Sequence, residues 1–129
     1  MKKPFVLVAI GLCLALAAWA QPRLIAPKDA KALLAARADI ALVDVRTREE
    51  FVAGRIPGSI LLPYDQIDAT SAAKVIGPKD RTVIVYCRSG RRSAIAAQAL
   101  VSLGYKNVLD LGGIQAWPYE TVSGEPGAP

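Results

Sequence analysis

Short apolar runs, several of them β-branched, alternate along this chain with amphipathic stretches that end on or near glycine. Ile40-Ala41-Leu42-Val43-Asp44-Val45 predicts a buried strand running into Arg46, and Thr82-Val83-Ile84-Val85-Tyr86 predicts another. Asn107 to Leu111 predicts a last strand, and Ser59 to Leu62 a short one closed by Pro63. Lys28 to Arg37 predicts a short helix with Asp29 in its first turn and Leu33 and Leu34 facing inward. Thr47 holds an N-cap position with Glu50 three residues on, the pattern of a capping box, and Gly54 ends that helix. Arg55-Ile56-Pro57-Gly58 predicts a turn, Tyr64 to Val75 a weakly patterned helix, and Gly77 to Asp80 a loop. Ala94 to Val101, opened near Ser93 and stopped at Gly104, predicts a further helix. Gly112-Gly113 predicts a turn, Ile114 to Tyr119 a short helix, and Gly124 to Pro129 a frayed tail. Strands apolar on both faces, alternating with helices, predict an α/β domain with a central parallel sheet and helices on both of its faces. Ligands of such sheets bind at the carboxyl ends of the strands, where Cys87 and Asp44 to Arg46 fall.

The first twenty residues differ in kind. Lys2 and Lys3 precede an almost wholly apolar stretch from Phe5 to Ala18, and Ala18-Trp19-Ala20 is an A-x-A cleavage signal. Residues 1–20 therefore read as a secretory signal peptide, with 21–129 as one domain whose core spans about 28–119 and whose expected location is the periplasm. The segment is short for a retained membrane anchor. A lipid anchor on Cys13 is disfavoured because Leu12 precedes it. Cleavage would lower the formal net charge from +5 to +3, with 14 basic residues against 11 acidic. That balance is too weak to imply nucleic acid as a partner and fits small anions better. It would also leave Cys87 without a partner for an internal disulfide, in a monomer with no membrane contact. The chain has no histidine, which rules out a Cys–His nucleophile pair or a His-ligated metal.

Chemistry concentrates in Cys87-Arg88-Ser89-Gly90-Arg91-Arg92-Ser93, between a strand and a helix. Successive N–H groups in such a turn form an anion-binding concavity, and the helix N-terminus adds partial positive charge. With three arginines nearby, this setting lowers a thiol's pKa from about 8.5 and yields a thiolate nucleophile. The competing reading is a buried inert cysteine beside a solvated basic run. Inert cysteines are uncommon at a helix start among arginines.

Four features together resemble a single-domain rhodanese, that is, a thiosulfate sulfurtransferase-like protein, of the small exported type. They are Asp44-Val45-Arg46 after a strand; Glu50-Phe51 with Gly54-Arg55-Ile56-Pro57-Gly58-Ser59; the Cys87–Ser93 loop; and Leu111-Gly112-Gly113 followed by Trp117. The resemblance covers about Lys28 to Tyr119. It implies sulfur transfer through a Cys87 persulfide, from thiosulfate or a similar anionic donor to a thiophilic acceptor such as cyanide or a thiol. It implies neither a cofactor nor a metal. Arg88, Ser89, Gly90, Arg91, Arg92 and Ser93 would bind the substrate. Arg92 either meets the oxyanion or pairs with an acid such as Asp44, and Ser89 and Ser93 either lie near the sulfur or cap the helix. Gly90 would supply a positive φ. Asp44 and Arg46 would support the pocket by ion pairing. The family often has His where Arg55 stands and Ala where Ser59 stands. Phosphatase- or arsenate-reductase-like chemistry and a non-catalytic binding module are the two alternatives. The first is countered by loop length: in those relatives an arginine stands at the sixth position after the cysteine, here occupied by Ser93.

Overall fold

A computed structural model describes residues 2–4 and 20–127. The apolar stretch read as a signal, with Cys13 in it, lies outside the described residues.

Two apolar faces set the architecture. Strands β2 (Ala41–Asp44) and β4 (Val83–Cys87) are buried along their whole length. Their side chains alternate between two cores, as the two-residue repeat of a strand requires. Ala41, Val43, Val83, Val85 and Cys87 point to one core, shared with Ala72, Ala96, Ala97 and Leu100. Leu42, Ile84 and Tyr86 point to the other, shared with Ala30, Ile56, Leu109 and Leu111. Each fully buried Val, Leu or Ile contributes about 1.5–3 kcal/mol, so both faces must be covered by helices.

Helix α1 (Pro27–Ala36) supplies Ala30 to the second core, and α3 (Ala69–Val75) and α4 (Arg91–Ser102) cover the first. Helix α2 (Arg48–Ala53) carries the expected capping box between Thr47 and Glu50 and ends at Gly54. With β1 (Arg23–Leu24), β3 (Ile60–Leu61) and β5 (Val108–Gly113), the strands form one parallel sheet of order β1-β5-β4-β2-β3. From β2 the chain moves outward to β3; from β4 it moves the other way to β5. The carboxyl ends of β2 and β4 thus flank the point where the winding reverses, the expected ligand crevice of an open α/β sheet. Cys87 ends β4 there.

The structure corrects four expectations. Strand β1 was not anticipated, because two exposed residues carry no readable alternation. The helix expected over 64–75 is divided into a 3₁₀ turn (Tyr64–Gln66) and α3, because Asp68 caps α3 with its own capping box to Ser71. Ile114 to Tyr119 forms only a 3₁₀ turn over Ile114–Ala116. The Gly112-Gly113 turn is the end of β5, bulged so that Val85 faces Asp110 while Tyr86 faces Gly112 and Cys87 faces Gly113. A fifth difference lies in the tail. Expected to fray from Gly124, it is docked up to Glu125: the Gly124 N–H donates to the Val52 carbonyl, and Arg48 pairs with Glu125.

Candidate active site

Cys87 is only 1% exposed, at the base of the loop that joins β4 to α4. The loop turns because Gly90 takes a φ of 113°, which side chains with a Cβ rarely adopt. That turn aims the Gly90 N–H at Cys87 Sγ, 3.0 Å away. Burial pushes the thiol up and is the largest single influence on it. The Ser93 hydroxyl and the N–H groups of Ser93, Gly90 and Ser89 together outweigh it and hold the thiol below its ordinary value. The Ser93 hydroxyl, fully buried, lies 3.1 Å from the Gly90 carbonyl, which it serves as donor. It has a single proton, so it can serve the sulfur only by giving up that carbonyl. The thiolate fraction falls only as pH drops through the lowered pKa. The alkylation rate of Cys87 should therefore titrate with a midpoint below the ordinary thiol value of about 8.5. An unshifted rate–pH profile would contradict this electrostatic reading.

The structure divides the loop arginines by role. Arg88 and Arg91 are exposed and make no ion pair among the described residues. Arg92 is committed: its two terminal nitrogens donate to the Glu50 carboxylate at 2.7 and 2.9 Å. Of the two readings of Arg92, contact with the oxyanion or pairing with an acid such as Asp44, the structure shows the pairing, and the acid is Glu50. Asp44 is taken instead by Arg46, two residues on, whose guanidinium folds back at 2.7–3.1 Å and also donates to the Gly54 carbonyl at 2.6 Å. Asp44 and Arg46 thus support the site, anchoring the end of α2 to the end of β2. The sequence assigns Glu50 a capping-box role and a place in the family pattern, but no contact with Arg92. It does both: Oε1 also accepts from the Thr47 N–H and hydroxyl at 3.4 and 3.2 Å. One carboxylate thus ties the first turn of α2 to the first turn of α4.

The Arg92 guanidinium, then burial and the Thr47 contacts, set the Glu50 carboxyl, with a net fall to about 2. A depressed acid stabilises the fold above its unfolded value of about 4.3 and loses that contribution as pH falls towards 2. Acid unfolding of Glu50→Gln should accordingly differ from that of the unaltered protein at pH 5 and converge with it near pH 2. Equal stability at pH 5 would show that the pair does not hold the two helices.

Two glycines and a tyrosine complete the setting. Gly113 faces Cys87, and a Cβ there would lie 2.3 Å from the Arg88 carbonyl oxygen and 2.7 Å from Ser89 Cα. The loop can therefore rest on β5 only because this residue has no side chain. Tyr86 is fully buried; its hydroxyl accepts from the Ile56 N–H at 3.1 Å and donates to Ser59 Oγ at 3.0 Å. Burial, above all, raises its pKa, so it remains a proton donor, and Ser59 is the acceptor it needs. Beside the loop lies a cleft of about 430 Å³, lined by Arg46, Glu50, Ala53, Gly54, Arg88, Ile114, Gln115 and Thr121. The Gln115 N–H holds the Arg88 carbonyl at 3.2 Å, so one wall of the cleft is fixed to the loop itself. A larger hollow of about 650 Å³ opens between α2, Pro63 and α3, and no residue of the Cys87 loop lines it. Among the described residues no group of three or more His, Cys, Asp or Glu is placed to hold a metal.

Comparison with known proteins agrees with this geometry. A family model described as a rhodanese-like domain matches residues 26–120. A sulfurtransferase of Allochromatium vinosum is 46% identical over 85 residues, covering 65% of this chain and 77% of its own length. Among solved structures, a rhodanese with anions from E. coli aligns with a TM-score of 0.60 at 30% identity, over 66% of this chain and 99% of that one. A thiosulfate sulfurtransferase from Pseudomonas aeruginosa aligns with a TM-score of 0.72 at 28% identity over 81% of this chain, which spans only 21% of that protein.

Proposed function

Because this chain belongs to the rhodanese-like domain family, we propose that it moves the outer sulfur of thiosulfate through Cys87 to a thiophilic acceptor. The observation that carries the reading is the Cys87 thiol at the switch point of the sheet, held in a ring of N–H donors that favour its anion. The Cys87 thiolate attacks the outer sulfur of thiosulfate. The new Cys87 S–S bond forms as the sulfur–sulfur bond of thiosulfate breaks, and that electron pair leaves with sulfite. The terminal sulfur of the persulfide carries the negative charge, towards which the loop N–H groups converge. Cyanide or a thiolate then attacks that sulfur, and the electron pair returns to Cys87 Sγ. The thiolate is formed beforehand, so no general base is required. Arg88 in the loop and Arg91 at the start of α4, neither in an ion pair among the described residues, attract the dianionic donor. Arg92 instead keeps the loop in shape through Glu50.

Loop length favours sulfur over phosphate. The arginine that would clasp a phosphoryl group from the sixth position is replaced by Ser93, whose side chain is buried against Gly90. A tetrahedral group would sit too high for these donors, and a displacement of about 1 Å costs on the order of 100-fold in rate. Thiosulfate:cyanide sulfur transfer should be measurable and aryl phosphate hydrolysis negligible. Phosphate ester hydrolysis faster than sulfur transfer would overturn the proposal in favour of phosphatase chemistry.

A further inference from the structure

Asp110 is a buried carboxylate that the sulfur-transfer steps do not use. It lies within β5, 7% exposed, and makes no ion pair among the described residues. Leu109 and Leu111 on either side of it point into the second core, so its side chain lies on the opposite face, the one that Val85 and Cys87 share. A carboxylate in that position is costly unless it is hydrogen-bonded. Its bond is local: Oδ1 accepts from the Gly112 N–H at 2.9 Å. That contact spans the bulge. Asp110 pairs with Val85 and Gly112 with Tyr86, which leaves Leu111 as the extra residue without a partner on β4. The carboxylate thus closes the bulge as an Asx-turn, and Gly112 beyond it takes a φ of 83°.

The bulge decides what lies under the Cys87 loop. It steps β5 on by one residue, so that Gly113 rather than Gly112 stands opposite Cys87. Gly113 is the seat for the Arg88 carbonyl and Ser89 Cα, and Gly112 Cα lies 3.9 Å from where a Cβ on Gly90 would stand. Two residues past Gly113, the Gln115 N–H donates to the Arg88 carbonyl at 3.2 Å. Without the bulge these contacts would fall one residue out of step. We propose that Asp110 is a positioning residue for Cys87: by holding the Gly112 N–H it keeps the bulge in β5, and so sets the seat from which the loop aims its N–H groups at Sγ. It acts through Gly112 and Gly113 and not on the sulfur itself. Its part in sulfur transfer rests on Cys87 being the carrier; its part in seating the loop does not.

Three variants separate the hydrogen bond from the charge. Asp110→Asn loses the charge and keeps an acceptor oxygen, Asp110→Ala loses both, and Asp110→Ser offers a hydroxyl that makes the same turn more weakly. The readouts are the midpoint of the Cys87 alkylation rate against pH, kcat/KM for thiosulfate and cyanide, and a thermal melt. In Asp110→Ala the midpoint should rise towards that of an ordinary thiol, and kcat/KM should fall roughly tenfold, the factor that one lost hydrogen bond carries. Loss of a negative charge alone would move the midpoint the other way, so the direction distinguishes seating from simple electrostatics. Asp110→Asn should restore both values and Asp110→Ser should fall between. A lower melting temperature in Asp110→Ala with midpoint and kcat/KM unmoved would show that Asp110 only stabilises β5, and would overturn the inference. An Asp110→Asn variant as impaired as Asp110→Ala would overturn it too. Should Asp110→Ala not fold, Asp110→Asn and Asp110→Ser carry the test, and equal midpoints in those two would overturn it. If the midpoint rises in Asp110→Ala while no form of the protein transfers sulfur, the seating role stands and the sulfur-carrier reading of Cys87 fails.

Discussion

Replacing Cys87 with serine is expected to reduce sulfur transfer to background, a loss on the order of a million-fold by analogy with removal of other covalent nucleophiles. The hydroxyl would occupy the place of Sγ, 3.0 Å from the Gly90 N–H, so the loop keeps its hydrogen bond and the fold its core. What is lost is the anion. The same donors that bring the thiol below its ordinary value cannot ionise an alcohol, whose starting point is far higher. Steady-state kinetics with thiosulfate and cyanide, together with a thermal melt, separate the two effects. A melting temperature within a few degrees beside absent turnover is the expected pair. Substantial residual turnover would mean that another group carries the sulfur.

Alanine at Gly113 should be nearly as damaging, although the residue bears no chemistry. Its Cβ would stand 2.3 Å from the Arg88 carbonyl oxygen, a distance that backbone must relieve by moving. The loop is the partner free to move, since β5 is paired with β4 along its length as far as Gly113. A shift of about 1 Å would carry the N–H groups away from Sγ and lower kcat/KM on the order of 100-fold. The strain should also destabilise the protein by about 1–3 kcal/mol. The Cys87 alkylation profile should move towards that of an ordinary thiol in the same variant. Gly113→Ala with unaltered kinetics would show that the loop does not depend on this contact.

The candidate site was legible in the sequence because its signals are local. A β-branched run, a cysteine, a glycine among arginines and an alanine-rich helix follow one another without a break, and strand and helix formed in that order, the helix starting at Arg91, three residues before the expected Ala94. The alternating apolar strands likewise fixed the two-faced sheet. What the sequence hid is what depends on distance. Glu50 meets Arg92 across 42 positions, and nothing in the local pattern distinguishes it from Asp44 as the partner. Gly113 reads as turn chemistry until β5 is paired with β4 and its missing side chain faces the loop. Gly124 to Pro129 has the composition of a frayed end, and only its distant partners Val52, Arg55 and Arg48 dock Gly124 and Glu125. Tyr64 to Val75 failed for the opposite reason: a strong local stop, the Asp68 capping box, interrupts a weak helical pattern.

The central claim is that Cys87 itself becomes the sulfur carrier, and the intact mass of the protein tests it most directly. After incubation with thiosulfate and removal of excess reagent, the mass should rise by one sulfur atom, and peptide mapping should place that atom on Cys87. Cyanide should then return the mass to its starting value. An unchanged mass after thiosulfate while turnover proceeds, or a sulfur gained at any other residue, would contradict it.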